Sequence, residues 1–408
     1  MKLGQLRPVS GRAASLGALL AALLAIGPMA GGPQMLASPA DGESTSAKLP
    51  DPPANGEMGF VVSTFVAPVI QGADACPQGT SPKLRDAYLA QQTQEERARL
   101  LLKENEAELT RRWQSDVFGP NGTNICSQPD LFENRPLLRT VQSKYAWGLD
   151  LDGAGKAPVS KADTCEHDSF ETPTGEQGID NQEYRVMGCT LEWRGVDGIA
   201  GDQEIGMKQF MVSGEWTQVI LLRGVNSLQR DDNVEVIYAN TPDRPAVDST
   251  GKILPGASFS ISNRPPRNRN VLRGRIENGV LTTAVSDIVL TQTWGQGGAR
   301  DIRGNRTKYE FRKARLRLTF QPDGSATGML GGYRPVFDVI QSPALGGVGS
   351  ATVAGIDCAA NLHTLRKYAD GLRDPKSGKC TGVSSAMRIQ AMPAFVNDLN
   401  SATRTAAR

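Results

Sequence analysis

The sequence predicts a mainly β protein with helical N-terminal and C-terminal additions, its strands forming an antiparallel β-sandwich of jelly-roll type or a partly closed barrel. Three observations lead there. From about Asp150 to Gln341, apolar and β-branched runs recur at short spacing between Gly, Pro and Asn turns, the pattern of antiparallel sheets. Before that, residues 80–119 are dominated by Leu, Ala, Gln, Glu, Lys and Arg, which favour helix. After it, "DCAANLHTLRKYADG" puts Leu362, Leu365, Ala369 and Leu372 on one helical face.

The chain of 408 residues divides into five expected parts. Residues 1–37 read as a signal peptide: Lys2, Arg7 and Arg12 precede the apolar run "AASLGALLAALLAIGPMA", and Ala30, Ala37 and Ala40 offer cleavage points. An uncleaved anchor is the alternative, but Gly17, Pro28 and the small-residue exit suit cleavage better. Residues 38–58, rich in Pro, Ser, Gly and charge, read as a flexible linker. A helical region spans 59–145, the antiparallel β domain 146–342, and a small disulfide-closed helix–strand segment with a frayed tail 343–408. No later run is long and apolar enough to span a bilayer as a helix. The expectation is an exported protein, periplasmic or extracellular, with no transmembrane helix in its mature chain.

Within these parts, "FVVSTFVAPVI" (60–70) is one extended segment. Pro82 suits a helix start and Gly119-Pro120 ends the helical pattern. Strands are expected at Gln218–Gly224 and Asn233–Ala239, and a hairpin at Asn278-Gly279. Leu316, Leu318 and Phe320 alternate with Arg315, Arg317 and Thr319 before the turn Pro322-Asp323-Gly324, which puts the apolar set on a core. Residues 343–356 read as loop, and "AMRIQAMPAFV" as a final strand broken at Pro393. In "GIDNQEYRVMGC", Asp180-Asn181 reads as a turn and Tyr184–Met187 as the start of a strand. Trp193, Trp216 and Trp294 read as core rather than as carbohydrate platforms.

Six cysteines in an exported chain argue for disulfides at Cys76, Cys126, Cys165, Cys189, Cys358 and Cys380. Sequence leaves the connectivity open; proximity favours Cys76–Cys126, Cys165–Cys189 and Cys358–Cys380. The absence of any C-x-x-C spacing speaks against thiolate metal binding and haem attachment.

Net charge is +2, falling to −1 without Lys2, Arg7 and Arg12, so no nucleic-acid partner is indicated. The charge is uneven. Residues 264–317 hold thirteen Lys/Arg against four acids. Arg264, Arg267, Arg269, Arg273 and Arg275 are the expected anion-binding set, for an anionic polysaccharide or another cell-envelope component. Outward arginines that guard strand edges are the structural alternative. Residues 150–180 hold eight acids against two lysines. Asp150, Asp152, Asp168, Asp180 and Asn181 are the expected ligands of a calcium ion, which takes oxygen donors. This is no EF-hand: counted from Asp150, Ala154 and Lys161 occupy ligand positions. A solvated loop with Asx turns is the alternative.

Only His167 and His363 could serve as imidazole bases, and G-x-S-x-G, H-E-x-x-H and P-loop motifs are absent. Asp231, Asp232 and Glu235 are the carboxylates closest to a two-acid glycosidase pattern. The leading expectation is an exported, non-catalytic binding or structural protein of the envelope, calcium-stabilised, meeting an anionic or glycan partner. A carbohydrate-active enzyme is the second.

Overall fold

The computed structural model describes residues 48–398, except 73, 120–121, 154–162, 197, 262–268, 292–307 and 341–347. The expected signal peptide, the first part of the expected linker, Arg264, Arg267, Trp294 and the tail expected to be frayed lie outside the described residues.

The strands are β1 (Met58–Val66), β2 (Phe170–Glu171), β3 (Gln177–Ile179), β4 (Gln218–Arg223), β5 (Arg230–Asn240), β6 (Ser258–Ile261) and β7 (Arg269–Glu277). They continue with β8 (Val280–Thr283), β9 (Ser286–Thr291), β10 (Lys308–Phe320), β11 (Ala326–Pro335), β12 (Gly371–Arg373) and β13 (Cys380–Asp398). The main sheet runs β1-β4-β5-β7-β8-β10-β11-β13, and β13 pairs back on β1. Every step of that ring is antiparallel. The protein is therefore mainly antiparallel β, and its sheet closes as an eight-stranded barrel rather than splitting into the two faces of a sandwich. Closure needs β1 and β13, which lie outside residues 146–342 in sequence.

Alternation explains which residues fill the barrel. Phe60 and Val62 of β1, Ile220 and Leu222 of β4, Val236 and Tyr238 of β5 join one buried cluster. Leu316, Leu318 and Phe320 of β10, Leu330 of β11, and Met387, Ile389 and Ala391 of β13 complete it. Trp193 and Trp216 are part of this core. The opposite faces of β1, β4 and β5 are apolar too (Val61, Val219, Leu221, Ile237) and are covered by Ile253, Phe259 and Ile261. Asn278 and Gly279 adopt φ of 50° and 77°, the left-handed pair a two-residue hairpin requires, between β7 and β8. Gly324 does the same work, at φ 81°, between β10 and β11. Pro393 does not break β13: the β11 ladder has ended at Ala391, so the missing N–H costs no bond on that side.

The helical pattern before the barrel resolves into Leu84–Ala90, Gln94–Leu100 and Glu106–Ser115. Leu84, Leu100, Leu109 and Trp113 pack with Cys126, Ala351 and Cys358 in a separate cluster. Helix Cys358–Lys367 forms, with the Asp357 carboxylate capping the Ala360 amide, but it ends short of the expected Ala369 and Leu372, and Leu372 belongs to β12.

The disulfides form, but not between sequence neighbours. They are Cys76–Cys189, Cys126–Cys358 and Cys165–Cys380, with separations of 113, 232 and 215 residues. The proximity pairing fails because the closed barrel brings the C-terminal segment back against the loops that precede it. A second correction concerns Tyr184–Met187: residues Gln182–Met187 are helix, since the Asn181 side chain accepts the Tyr184 amide at 3.1 Å and nucleates a turn there.

Candidate functional site

Four segments converge on a buried polar centre. The first and second meet where the Asp180 amide donates to the Leu149 carbonyl at 3.0 Å. Gly148 permits this approach, because a Cβ there would lie 2.8 Å from Ile179 Cγ2 and 3.0 Å from the Asp180 carbonyl. Asp180 Oδ2 then accepts the amides of Leu151 (2.7 Å) and Asp152 (3.1 Å), which turns the chain and places Asp152 beside Asp180. The third and fourth segments pair where the Cys165 amide donates to the Asp370 carbonyl at 2.8 Å. The Cys165–Cys380 bridge fastens that contact to the start of β13.

His167 is the hub. Its Nδ1 faces the Cys165 carbonyl at 2.9 Å, and its Nε2 lies 2.8 Å from Asp180 Oδ1 and 3.7 Å from Asp370 Oδ2. The imidazole is 8% exposed, and both aspartate side chains are 0% exposed. Asp370 Oδ1 accepts the Ser384 amide at 2.6 Å, while Oδ2 is buried with no hydrogen-bond partner among the described residues. The Tyr333 hydroxyl, on the adjoining strand, is buried and unpartnered in the same sense. Ligand atoms of Asp152, His167 and Asp180 all lie within 4.8 Å of one another.

The electrostatics follow from burial and charge. Burial pulls the His167 pKa down, but the hydrogen bond to Asp180, the charge of Asp370 and the Cys165 carbonyl outweigh it and raise it to about 9. Burial pushes Asp370 up to about 6, with the charge of His167 and the Ser384 contacts pulling the other way. Burial and the surrounding carboxylates push the Tyr333 hydroxyl up. An imidazolium held between carboxylates, or an imidazole and carboxylates around a cation, are the two states this arrangement can hold.

Of the five expected metal ligands, then, Asp152 and Asp180 come together. Asp150 lies in the same turn but points Oδ1 at the Gly153 amide, 2.6 Å away. Asn181 is spent as a helix cap and on the Trp147 carbonyl. Asp168 is exposed, and it is its main-chain carbonyl that Gln182 and Arg185 contact. Sequence reasoning missed His167 and Asp370 as members. His167 had a signal, lying two residues past Cys165 inside the acidic stretch; Asp370 had none before the third disulfide was known.

A second buried network lies close by. Arg334 donates to Glu183 Oε1 at 2.7 Å, Ser385 donates to the other Glu183 oxygen, and the guanidinium lies 4.4 Å from the Tyr309 ring centre.

The expected anion-binding arginines separate. Arg269 is paired with the buried Asp398 at 2.6 Å. Arg273 and Arg275 alternate outward on β7 and are exposed. Arg275 stands opposite Thr282 of β8, which stands opposite Arg317 of β10. Arg317 holds Glu176 with two bonds, 2.8 and 3.0 Å. The glycosidase-like carboxylates are engaged separately: Asp231 accepts the Asn226 and Asn233 amides, Asp232 is exposed beside Arg230, and Glu235 lies 3.7 Å from Arg223. Comparison with protein-family models, curated proteins and solved structures finds no match to this chain.

Proposed function

We propose that this chain is an exported, non-catalytic binding protein of the cell envelope that meets an anionic polymer through the outward arginines of β7 and β10. The observation that carries this reading is the exposed pair Arg273 and Arg275, with Arg317 two strands away on the same side of the sheet. Strand spacing of about 4.8 Å sets Arg275 and Arg317 about 10 Å apart, a spacing that suits repeated anionic groups on a polysaccharide. The compartment is supported by three disulfides and by the character of residues 1–37. No helix among the described residues is long and apolar enough to cross a membrane. The burial of His167, Asp180 and Asp370 suits stabilisation of the loops more than turnover of a substrate. The test is retention on immobilised heparin across a salt gradient. The wild-type chain should elute at higher salt than Arg273→Ala/Arg275→Ala; equal elution of the two, or no retention of either, rejects the arginine face.

A further inference from the structure

In the buried centre, three side chains each have one polar atom fastened by the main chain and the other turned inward. The Cys165 carbonyl can only accept, so His167 Nδ1 carries the proton and Nε2 is the inward atom. Asp180 Oδ2 is fastened by the Leu151 and Asp152 amides, which leaves Oδ1. Asp370 Oδ1 is fastened by the Ser384 amide, which leaves the buried, unpartnered Oδ2. His167 Nε2 stands between the other two: it is 2.8 Å from Asp180 Oδ1 and 3.7 Å from Asp370 Oδ2. A carboxylate oxygen of Asp152 lies within 4.8 Å of the His167 and Asp180 ligand atoms.

Two ligands on a tetrahedral zinc ion, with bonds of about 2.0–2.1 Å, stand about 3.4 Å apart. The separations of 2.8 and 3.7 Å bracket that value. A histidine whose second nitrogen donates to a main-chain carbonyl is also the usual arrangement of a metal-bound imidazole, because the carbonyl fixes the tautomer and the ring plane. Calcium seeks six to eight oxygens, whereas a central imidazole nitrogen among carboxylates selects ions that accept nitrogen. We propose that Asp152, His167 and Asp180 form a largely buried structural site for a divalent transition-metal ion of the zinc class, with Asp370, 3.7 Å from His167 Nε2, as the donor beside it. The site joins the acidic turn to the segment tethered by Cys165–Cys380. It does not depend on the anionic-partner reading.

The experiment uses the exported chain with its disulfides intact, stripped by a chelator and dialysed. Zn²⁺, Ca²⁺ and Mg²⁺ are each titrated by calorimetry, and bound metal is counted by elemental analysis. The expected result is one equivalent of Zn²⁺, with Ca²⁺ and Mg²⁺ bound far more weakly. His167→Gln and Asp370→Asn should each weaken Zn²⁺ by at least about tenfold, and His363→Gln should leave it unchanged. The wild-type titration decides the matter even where a variant fails to fold. Less than one equivalent of Zn²⁺, Ca²⁺ or Mg²⁺ binding as tightly as Zn²⁺, full affinity in a folded His167→Gln, or loss of affinity in His363→Gln would each overturn the site.

Discussion

Replacing Glu183 by Ala removes one partner of an ion pair whose side chains are 4% and 5% exposed, and the structure allows the cost to be bounded. Truncating one member of a buried pair leaves the other charge uncompensated, a loss of about 3–5 kcal/mol. Ser385 also loses its acceptor, which adds about 1 kcal/mol. Against this, Arg334 keeps the Asp338 carbonyl at 3.3 Å and the face of Tyr309. The lower part of the range, about 3–4 kcal/mol, is therefore expected for Glu183→Ala. With an unfolding entropy of about 2.1 cal/mol/K per residue over roughly 350 residues, that lowers Tm by about 4–5 °C. Arg334→Met should be similarly costly, since it strands the carboxylate. The double variant Glu183→Ala/Arg334→Met should recover much of the loss, because it removes both charges of the pair together. Equilibrium urea unfolding of the four proteins, disulfides intact, measures all three differences. A Glu183→Ala loss under about 1 kcal/mol, or a double variant as unstable as the two singles added together, would refute the reasoning.

Two further outcomes follow from local geometry. Gly371→Ala should destabilise by about 1–3 kcal/mol in urea unfolding, because its Cβ would lie 2.1 Å from Tyr333 Cδ1 and the buried ring must shift; an unchanged midpoint would show that the ring has room. Asp231→Ala should cost about 1–3 kcal/mol at neutral pH, since the carboxylate holds the Asn226 and Asn233 amides at 2.7 and 3.1 Å. Burial raises the Asp231 pKa, but these bonds outweigh it and the net shift is downward. A group whose folded pKa is depressed contributes stability above its unfolded pKa, about 3.9, and loses it as pH falls through the folded value. The gap between wild type and Asp231→Ala should therefore narrow in strong acid, and a gap constant from neutral pH to pH about 2 would refute that account.

The sequence by itself determined what depends on neighbours a few residues apart. The period-two alternation of Leu316, Leu318 and Phe320 placed them inside, and Asn278-Gly279 and Pro322-Asp323-Gly324 made the turns their φ values allow. The three helices within 84–115 followed from composition, and the helix at 358–367 from the spacing of Leu362 and Leu365. One local signal was misread: Asn181 looked like a turn before a strand, but an asparagine that can hold the amide three residues on also starts a helix. Barrel closure, disulfide partners and the buried centre were decided by tertiary structure. Alternation sends a strand's apolar face inward equally well in a sandwich and a barrel, so only the β1–β13 pairing distinguishes them. That same pairing carries Cys380 and Cys358 back to partners more than two hundred residues away. It also delivers Asp370 to His167, which turns an acidic stretch legible as loose ligands into a centre whose inward atoms the main chain has already fixed.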